Sequence, residues 1–376
     1  MNPIVPQPSP VAPLAAAEDR RSDAIARARQ QVLQERSSLV CGLTAPWVDR
    51  SWQRCLQLGM EPTQPVQFDV ISPSQRALTQ EANQRLRQCA QGIMQGLGKA
   101  IANTGYFAIL TNAQGIVLDT SGPVDSHDQR ASLITRIGTD LSEARVGTTA
   151  IGTALAELQP VWLHRGEHFF LGNSHYTCAG VPLFDPDGQC MGMLDLTGID
   201  VPERTELKHL VVQSGAQIEN ALVLATSHRL MLRLNWPGHG LGSTADALLV
   251  LDADGRVNGA NSVARQIVPG LTAQVHASEL FGLPFQVLFD AARRSDNTLD
   301  VPLRNGLRLR ALATLTNSGR AANVMALPSS GAVAIHQMEA SMIRQAMEQA
   351  GGNVALAAQA LGISRATLYR KLGHKD

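Results

Sequence analysis

The sequence predicts a multidomain α+β protein: an antiparallel sheet with flanking helices, a second and smaller α+β unit, and an all-α helix-turn-helix at the C-terminus. Three observations carry this. Helically spaced apolar residues bracket a run of short, turn-bounded apolar segments between Tyr106 and Thr197. A shorter pattern of strand, Asp-Gly turn and strand returns after residue 245. The stretch 338–376 contains amphipathic helical runs punctuated by glycine and by capping residues.

A chain of 376 residues accommodates two or three domains at roughly 100–200 residues each. Formal net charge is +0, so any nucleic-acid contact must come from a local basic face. Cys41, Cys55, Cys89, Cys178 and Cys190 are odd in number and lack CxxC spacing. That pattern predicts reduced thiols in a cytoplasmic protein. The N-terminus lacks the basic region and apolar core of a signal peptide, and no stretch of about 18 apolar residues argues for a membrane span.

In chain order, 1–20 reads as a disordered leader and 21–73 as a helical segment. Residues 74–233 form the first α+β domain. It opens with a helix from Ser74 to Asn103 whose Leu78, Leu86, Ile93, Leu97 and Ile101 share a face. Tyr106–Thr111 and Ile116–Thr120 are strands around the Asn112–Gly115 turn. Val161–His164, Tyr176–Phe184 and Cys190–Thr197 are further strands, the last two joined by Asp185-Pro-Asp-Gly188. A helix from Pro202 to Arg233 closes the domain. Residues 234–245, with Asn235-Trp-Pro-Gly-His-Gly-Leu-Gly242, read as a linker. Ala247–Asp252, Arg256–Asn258, Leu299–Leu303 and Leu307–Leu315 supply the strands of a second domain over 246–316, with a helix at Ala260–Ile267. A second linker, 317–337, precedes the terminal helices.

The sharpest signal is at 338–373. Met338, Met342, Ile343, Ala346 and Met347 make one amphipathic helix, stopped by Gly351-Gly352. Asn353 caps the next, Val354–Leu361, whose small Ala357 and Ala358 permit close packing. Gly362 supplies the turn, Ile363 the apolar plug, and Ser364 the cap of a third helix, Arg365–Leu372. This is helix-turn-helix construction. Its recognition helix would present Arg365, Ala366, Thr367 and Tyr369 to base edges in the major groove of double-stranded DNA, with Arg370 and Lys371 following. The segment resembles the Fis-type DNA-binding family, through Gly-Gly-Asn353, Ala-Ala358, Leu-Gly-Ile-Ser364 and Arg-Ala-Thr-Leu-Tyr-Arg-Lys-Leu372. That resemblance implies a homodimer.

Upstream, Ser51-Trp52-Gln-Arg54-Cys55 with Gly59 and Pro62 resembles the acetoin-catabolism-activator family of bacterial regulators. Val146–Leu155, Gly166-Glu-His-Phe169, Tyr176–Gly188 and Gly192-Met-Leu-Asp-Leu-Thr-Gly198 are similar to that family's GAF domain. Thr149 departs from the Asn expected there. Ala247–Ile267 resembles the start of the family's PAS-like domain. A GAF-like sheet with a helical cover can enclose a small-molecule pocket. The resemblance implies a small organic effector, with Trp162, His164, His168, Tyr176 and Cys178 as candidate lining residues.

His164, His168, His175 and Cys178 have spacings that would suit zinc if they converged. They cross a loop and a strand, so no metal is expected, and no cofactor. A thiol enzyme using Cys178 or Cys190 would need an activated thiolate, and the expectation is that the chain is not an enzyme. Members of the family also carry an ATPase module, which requires a G-x-x-x-x-G-K-[ST] loop. The nearest stretch, Gly96-Leu-Gly-Lys99-Ala100, has Ile93 where a glycine is needed and no hydroxyl at Ala100. The reading is a regulator acting by operator occupancy without ATP hydrolysis, with RNA polymerase or a full-length relative as further partners. A nucleoid-type architectural protein is the alternative, and the regulatory sign stays open.

Overall fold

The computed structural model describes residues 12–35, 42–294 and 297–316, with side chains from position 20 onward, together with positions 354 and 358. The chain separates into two units, Met1–Val324 and Met325–Asp376, and the elements below belong to the first. Helix α1 (Ala12–Arg29) begins inside the stretch read as a leader and runs into a π-helical turn at Gln30–Gln34. Its alanines favour a helix even behind a proline-rich start. Pro46 opens α2 (Pro46–Gln57), which buries Val48, Trp52 and Cys55 at helical spacing.

The single helix expected over 74–103 is two. Helix α3 (Pro73–Ala82) starts at a capping box of Ser72 and Gln75, and α4 (Gln84–Ala100) follows a break at Asn83, where φ is −107°. The Asn83 amide bonds the Thr79 carbonyl at 2.8 Å, competing with the helical ladder. Leu78, expected inward, is exposed.

Five antiparallel strands form the first sheet: β1 (Tyr106–Asn112), β2 (Val117–Ser121), β3 (Val161–His164), β4 (Tyr176–Phe184) and β5 (Cys190–Ile199), in the order β2-β1-β5-β4-β3. The β4–β5 turn is closed by Asp185, whose Oδ1 accepts the Asp187 and Gln189 N–H groups at 2.9 and 2.8 Å. Between β2 and β3 lie α5 (Gln129–Ile134), α6 (Glu143–Val146) and α7 (Ala150–Glu157), which the sequence pattern did not separate. Helices cover both faces of the sheet. Phe107, Ile109 and Met193 share a core with residues of α2 and α7, whereas Ala108, Leu110, Leu194 and Leu196 share one with α4 and α8 (Thr205–Leu224).

The helix expected from Pro202 to Arg233 ends at Leu224, and Leu230–Asn235 is instead β6, the central strand of a second sheet. Its buried Leu230, Leu232 and Leu234 alternate with less buried Met231, Arg233 and Asn235, the two-residue period of a strand. The Asn235–Gly242 stretch is therefore the loop of a β6–β7 hairpin. Strands β7 (Ala247–Leu251), β8 (Val257–Ala260), β9 (Thr298–Pro302) and β10 (Arg308–Leu315) complete the order β8-β7-β6-β10-β9. One face packs against α9 (Ser262–Ile267), α10 (Ala277–Leu280) and α11 (Phe285–Ala291). On the other, Leu248 and Val250 cluster with Val223 of α8.

Helix α8 thus contributes to the packing of both sheets, and polar bonds reinforce the junction. Glu219 accepts the Phe184 N–H at 3.2 Å and the Ser262 N–H at 3.1 Å. Asn261 donates to Asn220 Oδ1 at 2.8 Å. The Pro186 carbonyl, in the β4–β5 turn, accepts the Ala260 N–H at 3.0 Å and the Arg265 guanidinium.

Of the C-terminal unit, Val354 and Ala358 are helical and Ala358 is buried. Asn353, Ser364, Arg365, Ala366, Thr367, Tyr369, Arg370 and Lys371 lie outside the described residues.

Candidate functional site

The face of the first sheet shared with α2 and α7 carries a small pocket. Strands β1, β4 and β5 contribute Ile109, Tyr176, Cys178, Asp195 and Thr197; the start of α7 contributes Ala150 and Ile151, preceded by Thr149. His168 and Asn173 come from the β3–β4 connection, and Phe68, Ile134 and Leu141 complete the lining.

Of the five candidates, His168, Tyr176 and Cys178 line the cavity. Trp162 and His164 do not. Successive strand side chains point to opposite faces, and on β3 it is Val161 and Leu163 that join the cavity-side core. Trp162 sits at the sheet edge, 5.2 Å from Trp47 and 4.8 Å from the Lys208 ammonium of α8. His164 Nδ1 pairs with Thr177 Oγ1 at 3.0 Å. The zinc-like set is likewise dispersed, since His175 bonds Asp200 at 2.8 Å on the surface.

Polar groups in the cavity form a connected chain. His168 Nδ1 lies 2.9 Å from the Arg165 carbonyl, which places its proton on Nδ1 and leaves Nε2 as an acceptor, 3.6 Å from Cys178 Sγ. Burial lowers the imidazole to about 4, so it is neutral. Cys178 Sγ is 3.4 Å from Thr197 Oγ1, and Thr197 in turn donates to Asp195 Oδ2. Burial, and secondarily Asp195, push the Cys178 thiol well above its ordinary range, against its hydrogen bonding with Thr197 and the Ala150 backbone. Cys190 is also raised by burial. Neither thiol is poised as the thiolate that nucleophilic catalysis needs.

Asp195 and Thr197 were missed as site residues, although both stand in the Gly192–Gly198 motif. The available signal was an acid between Leu194 and Leu196 in an otherwise apolar strand. Asp195 is fully buried, which raises its carboxyl to about 7 against the hydrogen bond from Thr197. Thr149, where Asn was expected, caps α7 by accepting the Gly152 N–H at 3.2 Å; threonine and asparagine both serve that position.

The N-terminal segment fixes the loops that carry these side chains. The Arg29 guanidinium donates to the carbonyls of Gly166, His168 and Phe169 at 2.8, 2.6 and 2.9 Å. Trp52 Nε1 donates to the Glu167 carbonyl at 2.9 Å, and Arg29 lies 5.6 Å over the Trp52 ring. Arg165, at φ +47°, is held in the left-handed region beside this clamp. On the α6–α7 side, Ser51 Oγ is 2.7 Å from Thr148 Oγ1, and Arg54 pairs with Glu143 and Glu157 at 2.6 and 2.7 Å. The Ser51-Trp52-Gln-Arg54 motif is thus a brace for the cavity walls.

Residues 21–220 match the family described as MimR, N-terminal domain, and 334–373 match the family described as bacterial regulatory protein, Fis family. The acetoin catabolism regulatory protein of Cupriavidus necator is 31% identical over 250 residues, 65% of this chain and 37% of that one. The propane 2-monooxygenase operon transcriptional activator MimR of Mycolicibacterium goodii is 30% identical over 199 residues, 52% of this chain and 33% of that one. The chain therefore spans about a third of the length of these curated relatives. Among solved structures, the E. coli DhaR(N)–DhaL complex aligns over 72% of this chain and 100% of that one, at 16% identity and TM-score 0.45.

Proposed function

Since the chain belongs to the family of the MimR N-terminal domain, whose match spans 21–220 of its 376 residues, we propose that it is a sequence-specific DNA-binding transcriptional regulator controlled by a small molecule. The observation that carries this is the joining in one chain of a cavity inside the family domain and a Fis-family segment at 334–373. His168, Tyr176 and Cys178 belong to the effector site in this reading, together with Asp195 and Thr197. Arg365, Thr367 and Tyr369 read base edges, while Arg370 and Lys371 contact phosphates.

The regulator acts as a homodimer in the cytoplasm, by occupancy of its operator and without ATP hydrolysis. One observation supports the last of these points: the Gly96-Leu-Gly-Lys99 stretch lies within α4 and does not follow a strand, as a phosphate-cradling loop would. A non-enzymatic role agrees with the protonated thiols of Cys178 and Cys190.

Selection of binding sites from random duplexes tests the reading, using purified protein at near-physiological salt beside an Arg365→Ala/Arg370→Ala control. We expect a symmetric consensus with half-sites about one helical turn apart, lost in the control. Arg365→Ala alone should weaken discrimination by roughly 1–3 kcal/mol at the position it reads. Binding without enrichment, fading uniformly as salt rises, would mark an architectural protein instead.

A further inference from the structure

We propose that the turn over residues 165–168 is the gate of the cavity, with the His168 imidazole as its plug and Arg29 as the latch that holds it shut. This rests on the cavity being the effector site. Tyr176, Cys178, Asp195 and Thr197 stand on β4 and β5, and Ala150 and Ile151 on α7, all held by continuous backbone ladders. His168 instead follows a single 3-10 turn, Arg165–Glu167. Its backbone N–H and its Nδ1 both bond one carbonyl, that of Arg165, at 3.0 and 2.9 Å. Its Nε2 reaches in to Cys178 Sγ at 3.6 Å, and its ring lies 6.2 Å from that of Tyr176. The plug is buried, while Arg165 at the start of the turn is exposed.

What shuts the turn comes from outside it. Arg29 draws together the carbonyls of Gly166, His168 and Phe169, and Trp52 Nε1 takes that of Glu167. Arg21 bonds the Glu167 carboxylate at 2.8 Å, and the same oxygen accepts the His164 N–H at 2.7 Å. The post that carries the latch is firm. Ala28, Val32 and Leu33 sit in the cavity-side core, and Ile25 packs so close to Gly166 that a Cβ there would meet its Cγ2 at 3.0 Å. The latch itself is weaker. Among the described residues no carboxylate pairs with Arg29, and burial lowers its guanidinium to about 10. A half-buried cation is therefore balanced only by carbonyl dipoles and the Trp52 ring. Arg165 adds backbone strain at φ +47°. Letting go of the three carbonyls hydrates the guanidinium and relaxes Arg165, whose carbonyl then leaves His168 Nδ1 and lets the imidazole withdraw from Cys178. Both gains offset the bonds lost, so the turn opens locally while the ladders around it stay closed.

Cys178 reports the gate with no effector present, so a failure here and a failure of the effector reading are distinguishable. Its thiol is buried beside His168 and reacts with N-ethylmaleimide only when it is exposed and can ionise. Cys55, fully buried on α2 in the same core, is the control for wider loosening. Labelling of the full chain is followed at each cysteine by peptide mass spectrometry across low urea concentrations. In the native protein we expect Cys178 to label through a local opening that is nearly independent of urea, whereas Cys55 waits for unfolding and accelerates with urea. Arg29→Gln should accelerate Cys178 by about tenfold or more, because hydrogen bonds from a charged donor are the stronger ones, and should leave Cys55 unchanged. Arg29→Lys, which keeps the charge but not the planar fork, should fall between. Equal acceleration of both cysteines in Arg29→Gln would overturn the gate and make Arg29 a general brace. Cys178 labelling that follows Cys55 in the native protein, or that is the same in Arg29→Gln as in the native protein, would overturn it as well.

Discussion

At the scale of single residues, the cavity places two titratable groups of opposite sign in one low-dielectric space. His168 stays neutral in the folded chain down to about pH 4, whereas an unfolded histidine takes a proton near 6.5. Unfolding therefore takes up a proton between those values, and stability falls as pH drops through that window. Asp195 behaves in the reverse sense. Its folded value of about 7 lies above the unfolded value of roughly 3.9, so its contribution is full below the unfolded value and is lost as pH rises toward 7. The two oppose each other in mild acid. His168→Gln should remove the histidine arm, so that between pH 7 and 4.5 the native protein loses about 2–3 kcal/mol relative to the variant in urea unfolding. Equal pH dependence in both proteins would mean that His168 is hydrated or titrates normally. The residue types in the cavity were legible from sequence, but their facing was not. Trp162 and His164 are one residue out of phase with Val161 and Leu163 on a four-residue strand, and so short a strand between covered faces gives no alternation by which to choose.

At the scale of elements, strands and turns with local chemistry were readable, and boundaries set by tertiary packing were not. Val161–His164 and Tyr176–Phe184 are strands over the ranges expected from apolar runs and turn residues. The stretch Pro202–Arg233 was not divided correctly, because the end of α8 and the start of β6 are both apolar. Only pairing with β7 and β10 makes Leu230–Asn235 a strand. The same junction yields a prediction. Glu219 holds backbone N–H groups of Phe184 and Ser262, one beside each sheet, and burial raises its carboxyl. Glu219→Leu should strand both donors and destabilise the chain by roughly 1–3 kcal/mol for each, read from denaturant midpoints. Glu219→Gln, which retains an acceptor, should lose less. Equal midpoints for Glu219→Leu and the native chain would mean that water satisfies those N–H groups.

At the scale of the whole molecule, a zero net charge coexists with a terminal helix read as basic, so under the proposed function DNA affinity arises locally and the response to effector arises by coupling. Binding at two sites is linked reciprocally: if effector changes operator affinity by some factor, operator DNA must change effector affinity by the same factor. The β4–β5 hairpin is a physical route out of the cavity. Tyr176 and Cys178 lie on β4, and the turn that follows docks its Pro186 carbonyl on Ala260 and Arg265 of the second sheet's unit. Arg265 is half-buried there, and its Nε has no partner among the described residues, so its hydrogen-bonding hold on the turn is the Pro186 bond, while a weaker one to the Ala260 carbonyl at 3.4 Å stays on its own side of the junction. Arg265→Ala should leave effector binding to DNA-free protein and operator binding to effector-free protein near native values, while reducing the factor by which each ligand changes the other. Couplings of about 5–150-fold are typical, so a several-fold loss is measurable by titrating each ligand with and without the other. An unchanged factor would move the route from the hairpin to α8, whose Ile218 and Leu222 pack beneath the first sheet and whose Val223 packs beneath the second.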